Sequence, residues 1–185
     1  MRTAYLGLGS NEGPRLGHLR AAVQHLRGHE AIWAVRLSPV YETEAHTRAP
    51  DDEQPPFLNA VLRARVECTP EALLRVALGV EDAEGRDRTT GRTWEPRPLD
   101  VDLLAVGTAT RRTDDLVLPH PRLAERRFVL RPWADLAPNF VVPPPFDQSV
   151  QSLLDQCTDS TDVCQTTHAL GDRGVAHSPV EDASS

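Results

Sequence analysis

Hydrophobic residues follow a strand period and a helix period in turn along the first part of the chain. Apolar residues alternate across Thr3–Gly9, which predicts a strand. The next segment, opened near Pro14, has apolar residues every three or four positions and predicts an amphipathic helix through Leu16, Leu19, Val23 and Leu26. Ala31–Tyr41 then has the composition of a strand, in which Pro39 predicts an edge position or a bulge.

Two more strands and a second helix follow. The clearest alternation lies in Phe57–Val66, where every second residue is aliphatic. Thr69 and Pro70 are typical of a helix start, and helical spacing continues to about Glu84. Leu99–Val106 predicts the last strand. The order of these elements predicts an α+β protein with a ferredoxin-like βαββαβ core, whose helices cover one face of a largely antiparallel sheet.

The rest of the chain predicts C-terminal additions to that core. Leu116–Leu118 predicts a short strand, Pro121–Ala134 two short helical pieces, and Val141–Pro145 an extended segment. After residue 157 the residues are mainly small and polar, with few large apolar side chains, which is typical of disorder. We therefore expect one domain over residues 1–157 and an acidic, disordered tail over residues 158–185.

Composition indicates an ordinary single-domain protein. The 185 residues suffice for one hydrophobic core, and no apolar run reaches the roughly 18 residues that cross a bilayer. Since Met1-Arg2 leads directly into the first predicted strand, we expect no signal peptide and a cytoplasmic location. The three cysteines are widely spaced and predict neither a disulfide framework nor a zinc site.

Charge and lysine content exclude several functions. The net charge is −7, but residues 147–185 contain one arginine against seven acidic residues, so the body of the protein is almost neutral. A duplex-binding domain usually has a clear basic excess. All 20 basic residues are arginine, which excludes a Walker-A loop, the strand lysine of protein kinases and Schiff-base chemistry. Arginines, metal ions or backbone amides would have to hold any phosphate.

Two carboxylates lie in the last predicted strand. Asp100 and Asp102 flank Val101, so both point to one face of the sheet, about 6.6 Å apart. Such a pair is costly on a half-buried sheet unless a cation meets it. The spacing suits carboxylates that converge on Mg²⁺ ions bridging substrate phosphates. An exposed pair bonded to neighbouring arginines is the alternative interpretation.

The segment before this pair contains four arginines within twelve residues: Arg86, Arg88, Arg92 and Arg97. Guanidinium groups bind phosphate oxygens in a bidentate manner, and a loop can bring them over a bound polyphosphate. Trp94, in the same loop, can stack on a planar ring. A solvated surface also fits such a cluster, but its place beside the aspartates favours a phosphate clamp.

Two other segments offer binding groups. His120 lies between two prolines, which hold the backbone extended and fix where the histidine points, and Arg126 follows. These residues could form a second wall for a bound phosphate. The alternative is a rigid turn with a structural histidine. Phe57 and Asn59 face away from the aliphatic stripe of their strand. They offer a ring and an amide for the edge of a heterocycle, or simply pack at the edge of the sheet.

Three motifs occur together in a fixed order. They are Gly7-Leu8-Gly9-Ser10-Asn11, Arg97-Pro98-Leu99-Asp100-Val101-Asp102-Leu103-Leu104, and Leu118-Pro119-His120-Pro121-Arg122 with Arg126 and Phe128. Over roughly residues 3–145 the chain resembles the 6-hydroxymethyl-7,8-dihydropterin pyrophosphokinase family of folate biosynthesis. The resemblance implies transfer of the β,γ-diphosphate of ATP to the hydroxymethyl group of the pterin, with release of AMP and with two Mg²⁺ ions.

The resemblance also implies roles for individual residues. Asp100 and Asp102 would hold both Mg²⁺ ions, while Arg86 and Arg97 would be the catalytic arginines of a mobile loop. The implied ATP-binding residues are Glu81, Arg88, Trp94, Leu103, His120 and Arg126. The implied pterin-binding residues are Thr43, Phe57, Asn59 and Phe128. The implied partners are ATP and the pterin, without nucleic acid, membrane or a second subunit.

One segment departs from the family's usual Arg-Trp-Gly-Pro-Arg-Thr. Here an extra residue separates Arg92 from Trp94, Glu95 replaces glycine and Pro98 replaces threonine. The change adds a carboxylate near the expected phosphates. We therefore expect altered closure of this loop.

Two other functions fit parts of the pattern. Sugar-nucleotide transferases also use an Asp-x-Asp metal site, although 185 residues is short for them. A non-enzymatic ferredoxin-like module could hold RNA through its arginines, but the nearly neutral body gives this little support. The products separate the three: AMP with a pterin diphosphate, a nucleoside diphosphate, or no turnover.

Overall fold

The computed structural model describes residues 1–45, 54–86 and 96–171. The strands of these residues are β1 (Arg2–Ser10), β2 (Ile32–Leu37), β3 (Tyr41–Thr43), β4 (Phe57–Val66), β5 (Asp100–Val106), β6 (Arg111–Arg112), β7 (Val117–Leu118), β8 (Val141–Val142), β9 (Gln148–Ser149) and β10 (Val163–Gln165). The helices are α1 (Arg15–Gly28), α2 (Pro70–Ala83), α3 (Arg127–Leu136) and α4 (Val150–Gln156), with a 3₁₀ turn at Leu123–Glu125.

Six strands form one antiparallel sheet. β1 lies between β4 and β5, β4 pairs on its other side with β2 and β3, and β10 pairs with β3. Ser10 lies opposite Leu58 on one side of β1, and Gly9 lies opposite Asp100 on the other. The last residues of β1 and the first residues of β4 and β5 therefore meet at one end of the sheet.

One face of the sheet packs against α1 and α2. Alternate residues of the central strands point to these helices, so that Leu6 and Leu62 are buried with Leu19 and Leu73 of the helices. Burial of leucine-sized side chains contributes about 1.5–3 kcal/mol each, which makes this layer a main source of stability.

The start of α2 follows from its sequence. The Thr69 hydroxyl accepts the Ala72 amide at 3.2 Å, and Pro70 occupies the first helical position. A proline there removes an N–H that has no intrahelical acceptor, so it costs nothing.

The opposite face packs against α3 and α4. Tyr5 and Val61 point to this side, where Trp133 of α3 is fully buried. The ring centre of Tyr5 lies 5.0 Å from that of Trp133 and 4.6 Å from that of Phe140. The C-terminal additions thus form a second helical layer, and the fold is mixed α/β with an antiparallel sheet.

The strand predicted over Phe57–Val66 is confirmed, but the single strand predicted over Ala31–Tyr41 is wrong. The structure divides it into β2 and β3 at Ser38 and Pro39. Pro39 has no N–H, and Ser38 instead exchanges two bonds with Val61: its amide donates to the Val61 carbonyl and its hydroxyl accepts the Val61 amide, each at 2.9 Å. The chain therefore bends at Pro39 but remains hydrogen-bonded to β4 on both sides of the bend.

An irregularity also occurs within β2, ahead of the proline. Ala34 has a φ of 51°, and the register with β4 shifts between Trp33 and Arg36. A bulge of this kind bends an edge strand and increases its twist.

The disordered tail predicted after residue 157 is wrong for its first part. Val163–Gln165 form β10, whose residues lie opposite Thr43, Glu42 and Tyr41 of β3. Leu170, further on, is 6% exposed and belongs to the core beside α1 and α2. The remainder of the predicted tail, residues 172–185, lies outside the described residues.

The other C-terminal predictions hold in outline. The two helical pieces predicted within Pro121–Ala134 are the 3₁₀ turn and α3, and β7 covers most of the strand predicted at Leu116–Leu118. The extended segment predicted over Val141–Pro145 is limited to β8. Within the described part of the chain, no helix is long and apolar enough to cross a membrane.

Candidate active site

A cavity of about 520 Å³ opens at the end of the sheet where β1, β4 and β5 meet, beside the start of α3. The residues that line it are Gly7, Leu8, Gly9, Thr43, Glu44, Gln54, Phe57, Asn59, Ala60, Arg97, Asp100, Asp102, Arg122, Glu125, Arg126, Phe128 and Val129. Among them are both aspartates, all four residues of the implied pterin set, and Arg97 and Arg126, two arginines with implied roles. The structure therefore brings most of the predicted site residues to one cavity.

The floor of the cavity is kept open by a glycine. Gly9 lies between Asn59 of β4 and Asp100 of β5 in the sheet. A Cβ atom at Gly9 would approach Asn59 Oδ1 to 3.3 Å and the Phe57 ring to 3.8 Å. Glycine therefore leaves a planar ligand access to the Asn59 amide.

Asp100 is surrounded by arginines. Its Oδ1 accepts a hydrogen bond from Arg86 Nη1 at 2.5 Å, and its Oδ2 lies 3.5 Å from Arg97 Nη1. Burial alone would raise the pKa of Asp100, but the charges of Arg97 and Arg86 outweigh it and hold that pKa below its usual value. Asp100 is therefore ionised at neutral pH.

Asp102, two residues further along the same face, has a different environment. Its Oδ2 accepts a hydrogen bond from Arg126 Nη1 at 2.9 Å. Burial and the negative charge of Asp100 raise the pKa of Asp102, and the Arg126 charge compensates only in part. The two carboxylates thus repel each other, and the hydrogen bond to Asp102 comes from Arg126, on the other side of the pair from Arg86 at Asp100.

Glu81, an implied ATP-binding residue, lies behind the site. Its carboxylate is 2% exposed, accepts the Val101 amide at 2.7 Å and is bonded to Arg86. Glu81 therefore does not line the cavity. It anchors both β5 and the arginine that meets Asp100.

His120 also lies behind the cavity wall. Its amide donates to the Leu104 carbonyl at 3.0 Å, which ties the proline-flanked segment to β5. Its Nδ1 lies 3.2 Å from the Arg122 amide and its Nε2 lies 3.4 Å from Arg126 Nη1. Burial and the charge of Arg126 lower the pKa of His120 to about 4. The ring is therefore neutral at pH 7 and accepts a hydrogen bond from one of its two neighbours only.

The implied pterin side contains a buried polar pair and two aromatic rings. Asn59 Nδ2 donates to Thr43 Oγ1 at 2.8 Å, which fixes the orientation of the Asn59 amide. The guanidinium of Arg97 lies 5.9 Å from the centre of the Phe57 ring, and that of Arg126 lies 5.8 Å from the centre of the Phe128 ring. Each ring thus lies beside an arginine that also contacts one of the two aspartates.

A further residue with an implied ATP role, Leu103, does not line the cavity. Leu103 is 5% exposed and its side chain belongs to the core beside α1 and α2, because neighbouring residues of a strand point to opposite faces. Arg88 and Trp94 lie outside the described residues, as do Arg92 and Glu95.

Sequence reasoning also missed residues that line the cavity. Glu44 and Gln54 lie in the sequence between β3 and β4, where the hydrophobic pattern gives no periodicity. Arg122 and Glu125 form an ion pair at 3.2 Å on the rim. The sequence signal for Arg122 was its place in the His120 motif, but no pattern pointed to Glu125.

The donor set suits a hard cation. Asp100 and Asp102 present anionic oxygens to one cavity. Among the described residues no group of three or more His, Cys, Asp or Glu could hold a metal ion. Mg²⁺ is usually held by one or two protein carboxylates, with waters and substrate phosphates as its further ligands. In chemical type the carboxylate pair therefore fits Mg²⁺, the ion that the resemblance implies.

A family model described as 7,8-dihydro-6-hydroxymethylpterin-pyrophosphokinase (HPPK) matches residues 5–138 of the chain. The chain belongs to the HPPK family. The match includes each of the described cavity residues named above. It ends before α4 and β10, which are therefore outside the matched segment.

Curated HPPK relatives resemble the chain over most of their length. The 2-amino-4-hydroxy-6-hydroxymethyldihydropteridine pyrophosphokinase of Methylorubrum extorquens is 44% identical over 142 residues, which covers 77% of this chain and 87% of the relative. The protein of the same name from Bacillus subtilis is 37% identical over 133 residues, covering 72% of this chain and 77% of the relative.

A solved HPPK-DHPS structure in complex with substrates shares the fold. It superposes with a TM-score of 0.63 at 12% identity, and the match covers 83% of this chain. This chain spans only 43% of that solved chain. At this identity the similarity shows the fold alone.

Proposed function

We propose that this HPPK family member transfers the diphosphate of ATP to the hydroxymethyl group of 6-hydroxymethyl-7,8-dihydropterin, giving AMP and the pterin diphosphate for folate synthesis. One observation carries the proposal: the carboxylate pair, three arginines and the Asn59–Thr43 pair line a single cavity. The names of the curated relatives support the same activity.

The pterin would bind against β4. Asn59 is held by Thr43 through its Nδ2, so its Oδ1 faces the space that Gly9 leaves open. An amide has a paired donor and acceptor, which suits the edge of a pterin ring. Phe57 and Phe128 line the same cavity and would stack on the ring faces.

Asp100 and Asp102 would hold two Mg²⁺ ions together with ATP. The ions would neutralise phosphate charge and polarise the phosphorus–oxygen bonds. In the structure each carboxylate is met by an arginine, Arg86 at Asp100 and Arg126 at Asp102. We propose that these guanidinium groups exchange carboxylate oxygens for phosphate oxygens when ATP enters.

The arginines would then stabilise charge on the transferred group. Arg97 lines the cavity between Asp100 and Phe57, so it faces the space between the proposed phosphate and pterin positions. Fixed donors in a partly dry cavity stabilise developing charge without reorganisation. Loss of one such donor typically costs about 3 kcal/mol of transition-state stabilisation.

The strand order β5-β1-β4-β2, with α1 and α2 on one face, supports a ferredoxin-like core. We further propose that the protein acts as a cytoplasmic monomer. The oligomeric state can be measured by size-exclusion chromatography with light scattering at assay concentration. A mass twice that of the chain would contradict the proposed monomer.

The activity is tested by incubating the protein with ATP, MgCl₂ and 6-hydroxymethyl-7,8-dihydropterin and separating the products. We expect AMP and the pterin diphosphate in equal amounts, and no turnover after chelation with EDTA. Asp102→Asn should lower turnover roughly a hundredfold or more, the scale for losing a group that organises transition-state charge. The matched control is Asp162→Asn, an exposed acid far along the chain from the cavity residues.

Other products would overturn the proposal. ADP, in place of AMP, would indicate single phosphoryl transfer. A nucleoside diphosphate released from a sugar nucleotide would indicate the transferase alternative. Absence of turnover together with strongly salt-dependent RNA binding would indicate the RNA-binding module.

A further inference from the structure

The C-terminal segment is bonded to two of the three elements that form the proposed pterin side of the cavity, α3 and β3; the third element is β4. We call residues 159–170 the C-terminal strap. None of its residues lines the cavity. It begins beside the start of α3, pairs with β3 as β10, and ends with Leu170 in the core beside α1 and α2.

The first fastening is at α3. The residue before this helix, Arg126, makes no side-chain cap, so the Arg127 amide has no acceptor within the helix. Asp159 supplies the missing acceptor: its Oδ2 accepts the Arg127 amide at 3.1 Å, and its Oδ1 accepts the Thr161 amide at 3.0 Å. A carboxylate at a helix N-terminus also interacts favourably with the helix dipole.

This cap lies next to the cavity. Arg127 stands between Arg126 and Phe128, and both of these line the cavity. The bond from Asp159 therefore fixes the backbone from which an implied ATP ligand and an implied pterin ligand project.

The second fastening is at β3. Thr166 donates twice to the Val40 carbonyl, from its amide at 2.9 Å and from its hydroxyl at 3.0 Å. From there the pairing continues to Val163 opposite Thr43. β3 has only three residues, and it carries the hydroxyl that orients Asn59.

The third fastening is at α1. Arg20 donates to the Ala169 carbonyl from Nε at 3.1 Å and from Nη2 at 3.0 Å. The strap therefore cannot shift along β3 without breaking contacts at both of its ends.

We propose that the strap is a positioning element for substrate binding, with Asp159 and Thr166 as its positioning residues. It sets where Phe128 and Arg126 stand relative to Thr43 and Asn59, across the width of the cavity. The proposal deepens the function proposed above and rests on it.

The two residues should differ in which substrate they affect. Asp159 acts on Arg126 and Phe128 together, whereas Thr166 acts only on β3 and Thr43. We expect Asp159→Ala to raise KM for both ATP and the pterin, by roughly three- to tenfold, the scale for losing one helix cap. Thr166→Val should raise KM for the pterin by about two- to fivefold, the scale of one hydrogen bond, and leave KM for ATP unchanged.

The controls make the same chemical changes at exposed positions of the strap. They are Asp162→Ala for Asp159→Ala, and Thr167→Val for Thr166→Val. Asp159→Asn keeps a capping oxygen and should fall between the wild type and Asp159→Ala. A role in stability alone would lower the active fraction, and so the apparent kcat, without changing KM.

Amide hydrogen exchange gives a second measurement that needs no substrate. The Arg127 amide should exchange faster in Asp159→Ala than in Asp162→Ala. Unchanged KM values in both Asp159→Ala and Thr166→Val, with turnover intact, would overturn the inference about the strap and leave the proposed function standing. Absence of turnover and of pterin binding in the wild type would instead overturn the proposed function.

Discussion

Asn11 holds the backbone of Arg97 from both sides. The side-chain Oδ1 of Asn11 accepts a hydrogen bond from the backbone N–H of Arg97 at 2.8 Å. The backbone N–H of Asn11 donates to the backbone carbonyl of Arg97 at 3.2 Å. Asn11 is fully buried, so no water replaces either bond. The asparagine thus extends the β1–β5 pairing beyond the strands and sets the point from which the Arg97 side chain enters the cavity.

Replacing this asparagine should therefore affect both stability and turnover. Asn11→Ala leaves the Arg97 amide without its acceptor, which costs about 1–3 kcal/mol for a buried group. We expect a loss of that size in the free energy of unfolding, measured by urea titration, and a lower kcat because Arg97 is no longer fixed. Glu12→Ala, at the exposed neighbouring residue, is the control. A kcat equal to that of the wild type would contradict the role given to Asn11.

Because Asn59 donates a hydrogen bond to Thr43, the effects of replacing the two residues on KM for the pterin should be coupled. Thr43→Val removes the acceptor of the Asn59 side chain and leaves the shape of the site almost unchanged. We expect KM for the pterin to rise about fivefold, which corresponds to roughly 1 kcal/mol, the usual contribution of one hydrogen bond.

A double-mutant cycle tests this coupling. Asn59→Ala should raise KM for the pterin more than Thr43→Val does, because it removes the group proposed to contact the ring. The double variant should then resemble Asn59→Ala alone, since Thr43 acts through Asn59. Strictly additive effects would show that the two residues act independently.

The part of the site built on regular strands could be predicted from the sequence. Alternation in Phe57–Val66 predicted which residues share a face of the strand, and therefore that Phe57 and Asn59 lie on the same one. The same period placed Asp100 and Asp102 together on the next strand. Periodicity is a local property, so it needs no knowledge of the partner strand.

Contacts between distant segments were beyond such reasoning. Val163 pairs with Thr43 although 120 residues separate them, and a three-residue strand in a polar context has no periodic signal. Glu81 lies on the buried side of a helix, where a carboxylate is unexpected until the Val101 amide and Arg86 are seen to satisfy it. The cap of α3 by Asp159 likewise depends on a segment that composition alone assigned to disorder.

In the ligand-free protein, removing the charge of Asp100 and removing the charge of Asp102 should have different effects on the free energy of unfolding. Asp100 is stabilised as an anion by Arg86 and Arg97, so Asp100→Asn should lower the free energy of unfolding by about 1.5–3 kcal/mol, the range for hydrogen bonds to charged groups. The raised pKa of Asp102 means that the fold disfavours its charge. Asp102→Asn should therefore not destabilise the ligand-free protein at pH 7.

Turnover separates this stability effect from the proposed chemistry. Both variants should lose Mg²⁺-dependent AMP release, because each removes a carboxylate proposed to hold the ions. Thermal unfolding at pH 7 in EDTA gives the comparison of stabilities. A lower midpoint for Asp102→Asn than for Asp100→Asn would contradict the electrostatic assignment of the pair.

His120 should make the protein less stable in mild acid. The folded pKa is lowered to about 4 by burial and by the charge of Arg126, from an ordinary value of 6.5. Between these two values the unfolded chain binds the proton more tightly than the folded protein does, so stability falls as the pH falls. The contribution of His120 is complete above pH 6.5 and changes by up to about 1.4 kcal/mol per pH unit below it.

A neutral replacement isolates this residue from the other histidines. His120→Gln keeps an acceptor for the Arg126 side but has no proton to gain. We expect the free energy of unfolding of the wild type to fall more steeply than that of His120→Gln between pH 7 and pH 4.5, with both measured by urea titration in EDTA. His25→Gln, at a position in the last turn of α1, should retain the steep dependence of the wild type. Parallel curves for the wild type and His120→Gln would mean that the histidine is exposed to solvent, or already charged, in the folded protein.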